Sequence, residues 1–393
     1  MFSDRTAWDT AINAFAQRRA DLERAGVRLL DLTESNPTRC DFPPLPGLVD
    51  DLADPANLQY EPSPTGGLAA RRAVAALYEA KGVSVDPARI VLTASTSEAY
   101  SFLFRLLANP GDEFLAPTPS YPLLAYLADV NDVTLVPYPW RLQERWRVDL
   151  PAAARAVTPR TRALVVVSPN NPTGACLRRA EQAALVELCR RRELALIADE
   201  VFADYRWATD PDIPATLADC RDCLTFVLGG LSKTLGLPQM KLGWIVMTGP
   251  DALVQQALSR LEVIADTYLS VNTPVQRALP GWLAQTPAIQ APIRRRIADH
   301  RRRLREVWPG HLLPADGGWS AVLRIPQLAN DEAFALELMA TQHVVVYPGA
   351  LFGFEAPGHL VLSLLPPPDA FGEGVRRLAA TLAATLEKPR TPC

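Results

Sequence analysis

Short apolar runs alternate with stretches of helical spacing through the middle of this chain, and that alternation limits the possible folds more than any other feature. The runs are RIVLTAS (89–95), EFLAP (113–117), ALVVVSP (163–169), LALIADE (194–200), LTFVLGG (224–230) and GWIVMTG (243–249). Each is almost continuous in aliphatic residues, as a strand covered on both faces must be. Between them lie helical segments such as SEAYSFLFRLLAN (97–109) and RRAEQAALVELCRRRE (178–193). The pattern predicts an α/β fold with a mainly parallel sheet under helices on both sides. Past about residue 280 the texture changes to a charged helix, RRRIADHRRRLR (294–305), and then a mixed α/β tail. We therefore expect an N-terminal arm contributing to a small domain (1–45), a large domain (46–280) and a C-terminal small domain (281–393).

Charge and composition exclude several classes. With 40 Lys+Arg against 43 Asp+Glu, the chain has no field to hold nucleic acid or an anionic membrane. The seven arginines of 294–305 lack interleaved aromatics and read as a solvated helix face, partly paired with acids elsewhere. No run of about 18 apolar residues predicts a membrane span. The opening MFSDRTAWDT lacks a secretory pattern, so the expected location is cytoplasmic. Six scattered cysteines are too few for a disulfide scaffold. Cys220 and Cys223 form a lone C-x-x-C that reads as an incidental pair, with no second pair or suitably spaced histidine to complete a metal site.

The chemistry-bearing residues cluster where the apolar runs end. In LGGLSKTLGLPQMKLGW (228–244), Ser232 and Lys233 follow a strand, and Lys241 follows a Gly-Leu-Pro turn. Strand C-termini are where open α/β sheets bind ligands. A desolvated lysine there can act as a neutral amine and form Schiff bases; by itself a lysine after a strand is usually a surface charge. Asp199 closes LALIADE and can hold a protonated pyridine nitrogen, or serve merely as a cap or ion-pair partner. Asn171 in SPNNPTG can donate to a ring oxygen, or mark an ordinary Asn-Pro turn. In TASTSEA (93–99), Thr96 and Ser97 open a helix whose N–H groups can cradle a phosphate; the bare motif is also a plain N-cap.

Taken in order, the phosphate cradle, Tyr121 in PTPSYP, Asn171, Asp199 and Ser232-Lys233 follow the succession found in fold-type I pyridoxal-phosphate enzymes. The joint match of SPNNPTG, IADEVF and LSKTLGLPQMKLGW resembles the class I/II aminotransferase family over nearly the whole chain. The resemblance implies a large domain with a seven-stranded type of sheet and pyridoxal 5'-phosphate as cofactor. Lys233 would form the Schiff base and move the substrate proton. Asp199 would pair with the ring nitrogen, Asn171 would bond the ring oxygen and Tyr121 would stack on the ring. Thr96, Ser97 and Ser232 would contact the phosphate. Tyr60 in QYEPSPTGG resembles a tyrosine that reaches the phosphate of a neighbouring subunit, which implies a homodimer. LTESNPT (32–38) resembles the segment lying over the substrate, bringing in Ser35 and Asn36.

Three positions depart from that pattern. Lys241 stands where the family usually has a phosphate-clamping arginine, so the charge remains without the bidentate fork. Phe202 replaces a tyrosine that donates to the ring oxygen, which should raise the pKa of the protonated Schiff base. Val361, in GHLVLSLLP, occupies the position of the arginine that binds the substrate carboxylate, so either another cation does so, with Arg39 a candidate, or the substrate has no α-carboxylate in that place. The implied reaction is transfer of an amino group between an amino acid and a 2-oxo acid. The alternative is another reaction on the same scaffold: a lyase, decarboxylase or oxidase. A cofactor-binding protein without turnover is disfavoured by the retention of Lys233, Asp199 and Asn171.

Overall fold

The computed structural model describes residues 1–44, 47–207, 209–269, 271–325, 328 and 330–387, so Leu45, Pro46 and Cys393 lie outside it. After a two-residue strand β1 (Leu30–Asp31), eight strands form one sheet: β2 (Ile90–Thr93), β3 (Glu113–Thr118), β4 (Thr134–Leu142), β5 (Trp146–Val148), β6 (Thr161–Val167), β7 (Ala195–Asp199), β8 (Thr225–Gly230) and β9 (Gly243–Thr248). Their order is β2-β9-β8-β7-β6-β3-β4-β5. β9 runs antiparallel to both β2 and β8, whereas β8, β7, β6, β3 and β4 are mutually parallel. All six apolar runs became strands. Seven strands form the expected sheet, and β5 is a short antiparallel addition to the β4 edge.

Alternation within each strand builds two cores. Leu164 and Val166 of β6, Leu196 and Ala198 of β7, and Trp244 and Val246 of β9 face one side, covered by residues such as Val74, Leu185 and Leu279. Ala163, Val165, Ile197, Phe226 and Met247 face the other, covered by Phe102, Leu103, Val254 and Leu261. The period of two places successive residues on opposite faces, so a strand buried on both sides has no polar position to spare.

β4 and β5 were not among the apolar runs, and β4 explains why. It contains Pro137 and Pro139, and prolines within a run argue against a central strand. Asp149 N–H donates to the Pro139 carbonyl at 3.0 Å, so the backbone of Pro139, and by alternation of Pro137, faces the outer edge, where no donor is needed from Pro137. Tyr138 between them points inward, fully buried, and its hydroxyl donates to the Val165 carbonyl at 2.7 Å.

A third core belongs to the chain's two ends. β1 pairs in parallel with β11 (Val344–Val345), bringing the N-terminal segment to the C-terminal part. Beside them β10 (Ser320–Arg324), β13 (His359–Ser363) and β12 (Tyr347–Pro348) form an antiparallel sheet in that order. The arginine-rich segment lies in a 22-residue helix, Thr286–Val307, whose buried stripe is Gln290, Ile293, Ile297, His300 and Leu304. Its arginines are less solvated than expected. Arg296 donates to the carbonyls of Cys40 and Leu365, and Arg301 stacks 3.6 Å from the Trp207 ring centroid. Arg302 pairs with Asp299 and Glu306 of the same helix rather than with acids elsewhere.

Candidate active site

The site is assembled from the turns that follow β2, β6, β7 and β8. After β2, Ser95 caps the helix Thr96–Leu107, its hydroxyl accepting from Glu98 N–H at 3.1 Å, while the Glu98 carboxylate accepts from Ala94 N–H at 2.6 Å. Helix starts leave backbone donors unpaired, and Thr96 and Ser97 sit at this one. The turn can approach β9 closely because Gly243 has no side chain there. A Cβ at that position would lie 3.0–3.1 Å from Ser95 C, Thr93 Oγ1 and Thr96 N.

Asp199 ends β7 and accepts from two donors: Val201 N–H on Oδ1 at 3.2 Å and the Tyr100 hydroxyl on Oδ2 at 3.0 Å. Burial pushes the Asp199 carboxyl up from its usual range, opposed by those two hydrogen bonds and by the charge of Lys233. Lys233 lies in a four-residue helical turn, Leu231–Thr234, directly after β8. Burial lowers its amine to about 8, against the opposing pull of Asp199. Its Nζ stands 5.3 Å from the Phe202 ring centroid and 4.8 Å from that of Trp319. Asn171 follows β6, and its Oδ1 accepts from the Ser320 hydroxyl at 3.3 Å.

These groups line one cavity of about 260 Å³. Of the residues singled out in the sequence, it brings together Ser35, Thr96, Ser97, Tyr121, Asn171, Asp199, Phe202, Lys233 and Val361. Tyr60, Ser232, Lys241, Asn36 and Arg39 are not among its lining residues. Tyr60 is largely exposed, at 72 %. Lys241 is exposed with a left-handed backbone, φ 52°. Asn36 caps a short turn at Pro37–Arg39, and Arg39 points outward to Glu34 at 3.8 Å. Sequence reading passed over Tyr100, Trp319, Ser320, Tyr347 and Phe352, which also line the cavity. Only Tyr100 carried a local signal, one helical turn beyond Thr96. A larger space of about 430 Å³, beside Pro37, Phe42, Leu235 and Ile293, has no titratable side chain among the described residues of its wall. Among the described residues, no group of three or more His, Cys, Asp or Glu could hold a metal. Cys220 and Cys223 are buried free thiols whose Sγ atoms lie 3.9 Å apart, within reach of a weak hydrogen bond.

The profile of the aminotransferase class I and II family matches residues 48–377. The chain belongs to that family. It is 30% identical to an alanine aminotransferase of Mycobacterium tuberculosis, across 94% of this chain and 89% of that one. It is 28% identical to a glutamate-pyruvate aminotransferase of Escherichia coli, across 92% of each. An alanine aminotransferase structure from Pyrococcus furiosus superposes with a TM-score of 0.89 at 25% identity, covering 98% of this chain and 100% of that one. The protein is therefore a pyridoxal-phosphate-dependent aminotransferase of fold type I, and nothing in these relatives favours a lyase, decarboxylase or oxidase.

Seen as an aminotransferase, the chain keeps two of its departures inside the cavity. Phe202 presents a ring, stacked edge-on to Trp319 with centroids 5.5 Å apart, where the family pattern has a phenol. Val361 is 3 % exposed and packs with Val322 and Phe352 into a small apolar cluster. Among the described residues that line this cavity, Lys233 is the sole cation.

Proposed function

We propose that pyridoxal 5'-phosphate binds in this cavity and that Lys233 is the residue that holds it covalently and carries the substrate proton. The observation behind this reading is a lysine amine lowered to about 8, in one cavity with an Asp199 carboxylate and the start of the Thr96–Leu107 helix. The donor set fits the cofactor: a helix start with hydroxyls for an anion, a carboxylate for a protonated ring nitrogen, and the Asn171 amide for a ring oxygen. When bound, the cofactor supplies an electron sink for charge developing at the substrate's α-carbon. Lys233, neutral for part of the time at physiological pH, accepts and returns the proton at that carbon. Asp199, whose two donors and the Lys233 charge oppose the upward push of burial on its carboxyl, holds the ring nitrogen in its charged form. Tyr121, about half-exposed at the cavity rim, gives the ring a flat surface.

The reading extends to substrate and assembly. The names of the curated relatives support alanine or glutamate as donor and pyruvate as acceptor. The exposure of Tyr60 on its own chain supports a homodimer in which it serves the partner's site. Residues 1–45 and 281–393 then form the small domain and 46–280 the large one. No helix among the described residues is long and apolar enough to cross a membrane, and a cytoplasmic location accords with that. The test is a half-reaction. Holoenzyme is mixed with alanine, glutamate and other amino acids without an acceptor, and the cofactor spectrum is followed. Conversion to the amine form, reversed by pyruvate and lost in Lys233→Ala, supports the reading. Unchanged conversion in Lys233→Ala would refute it.

A further inference from the structure

The helix Thr96–Leu107 does two things at the cavity. Its first residues, Thr96 and Ser97, lie at the wall, and so does Tyr100, one turn further in. Tyr100 is 6 % exposed and belongs to the core beneath the sheet, in a cluster with Ala99, Phe104 and Ile197. Its hydroxyl leaves that apolar setting only to donate to Asp199 Oδ2 at 3.0 Å. The phenol is held well above its usual pKa by burial and by the Asp199 charge, so it remains a donor. The other oxygen, Oδ1, accepts from Val201 N–H at 3.2 Å, so each carboxylate oxygen has one fixed partner. Lys233 adds its charge from the turn after β8. Glu200, next in the chain, turns instead to Leu217 N–H at 2.6 Å.

We propose that Tyr100 is the positioning residue for Asp199, its hydroxyl orienting the buried carboxylate toward the cofactor's ring nitrogen and favouring its ionised form. This rests on the assignment of Asp199 made above. A carboxylate that accepts hydrogen bonds in a buried site stays ionised to lower pH than one that does not. It also cannot rotate freely about its terminal torsion, which is otherwise soft. One rigid helix therefore sets both ends of the cofactor cradle: its start meets the phosphate, and its second turn steadies the group opposite the ring nitrogen.

The experiment compares wild type, Tyr100→Phe and Asp199→Asn by titrating each apoprotein with pyridoxal 5'-phosphate over a range of pH. Tyr100→Phe removes one oxygen and keeps the packed ring. Binding at neutral pH should weaken about tenfold, the equivalent of one hydrogen bond to a charged group. The acid limb of the binding profile should move upward by about one pH unit, because Asp199 without its donor protonates sooner. In the holoenzyme, kcat of the half-reaction should fall while KM for the amino acid holds. In an Asp199→Asn background, Tyr100→Phe should add no further loss. If Tyr100→Phe fails to fold, Tyr100→His, which keeps a ring donor, reads the same profile against Tyr100→Leu, and the donor-bearing variant should bind the cofactor more tightly. A Tyr100→Phe profile superimposable on wild type, with Asp199→Asn impaired, would overturn the proposal while sparing the assignment of Asp199. An Asp199→Asn profile like wild type would overturn both.

Discussion

At the scale of single residues, the cavity combines a proposed cofactor set legible in the sequence with other wall residues that are not. Asp199 ends an apolar strand and Lys233 and Asn171 each follow one, and a polar residue at such a place stands out in any reading of the chain. Tyr100 does not, because its meaning depends on Asp199, 99 positions away and brought near only by the sheet. Val361 carries the sharpest consequence. Val361→Arg places a guanidinium where the family pattern has one, and a bidentate pair with a carboxylate should lower KM for the amino acid about tenfold. The same change overfills the apolar cluster with Val322 and Phe352, so stability should drop by about 1–3 kcal/mol. Steady-state kinetics alongside thermal melts separates the two effects; an unchanged KM would show that this wall does not meet the carboxylate. Phe202→Tyr restores a donor toward the ring oxygen and stabilises its anionic form. The pH midpoint of the holoenzyme's absorbance change should then fall by about one unit, and a rise would contradict the role given to that position.

At the scale of elements, the proposed phosphate end depends on how a strand hands over to a helix. Ser95 caps Thr96–Leu107 and Glu98 reaches back to Ala94 N–H, a reciprocal arrangement that holds the turn closed. Ser95→Ala should cost about 1 kcal/mol in a urea denaturation of the apoprotein. A loss below a few tenths would mean that the cap is idle. The small-residue run TASTS was readable as a helix start, and so was the acid three residues after Ser95. The close crossing at Gly243 was not, since a glycine in a strand announces a near neighbour without saying which. β4 escaped notice for a similar reason: its prolines are tolerable only because their edge faces outward, and edges belong to the sheet rather than to the segment.

At the scale of the whole molecule, alternating strands and helices made the α/β class and the order of the site elements readable, whereas the union of the two chain ends required β1 to find β11 some 300 residues later. The proposed homodimer should sediment at twice the chain mass of 43.0 kDa. Mixing Lys233→Ala chains with Tyr60→Ala chains should restore activity, because one site of each hybrid then carries both defects and the other carries neither. Additive loss without recovery would place Tyr60 outside the shared site. The helix Thr286–Val307 has a related importance. At one end Gln290 donates to the carbonyl of Thr234, the residue after Lys233; further along, His300 lies flat on Phe371 and donates its Nδ1–H to the Leu364 carbonyl. At about 1.5 Å per residue this rod runs some 33 Å. It ties the segment after the C-terminal strands to the peptide that carries the amine, with Pro292 in its interior, where a residue without an N–H leaves the helical ladder one bond short.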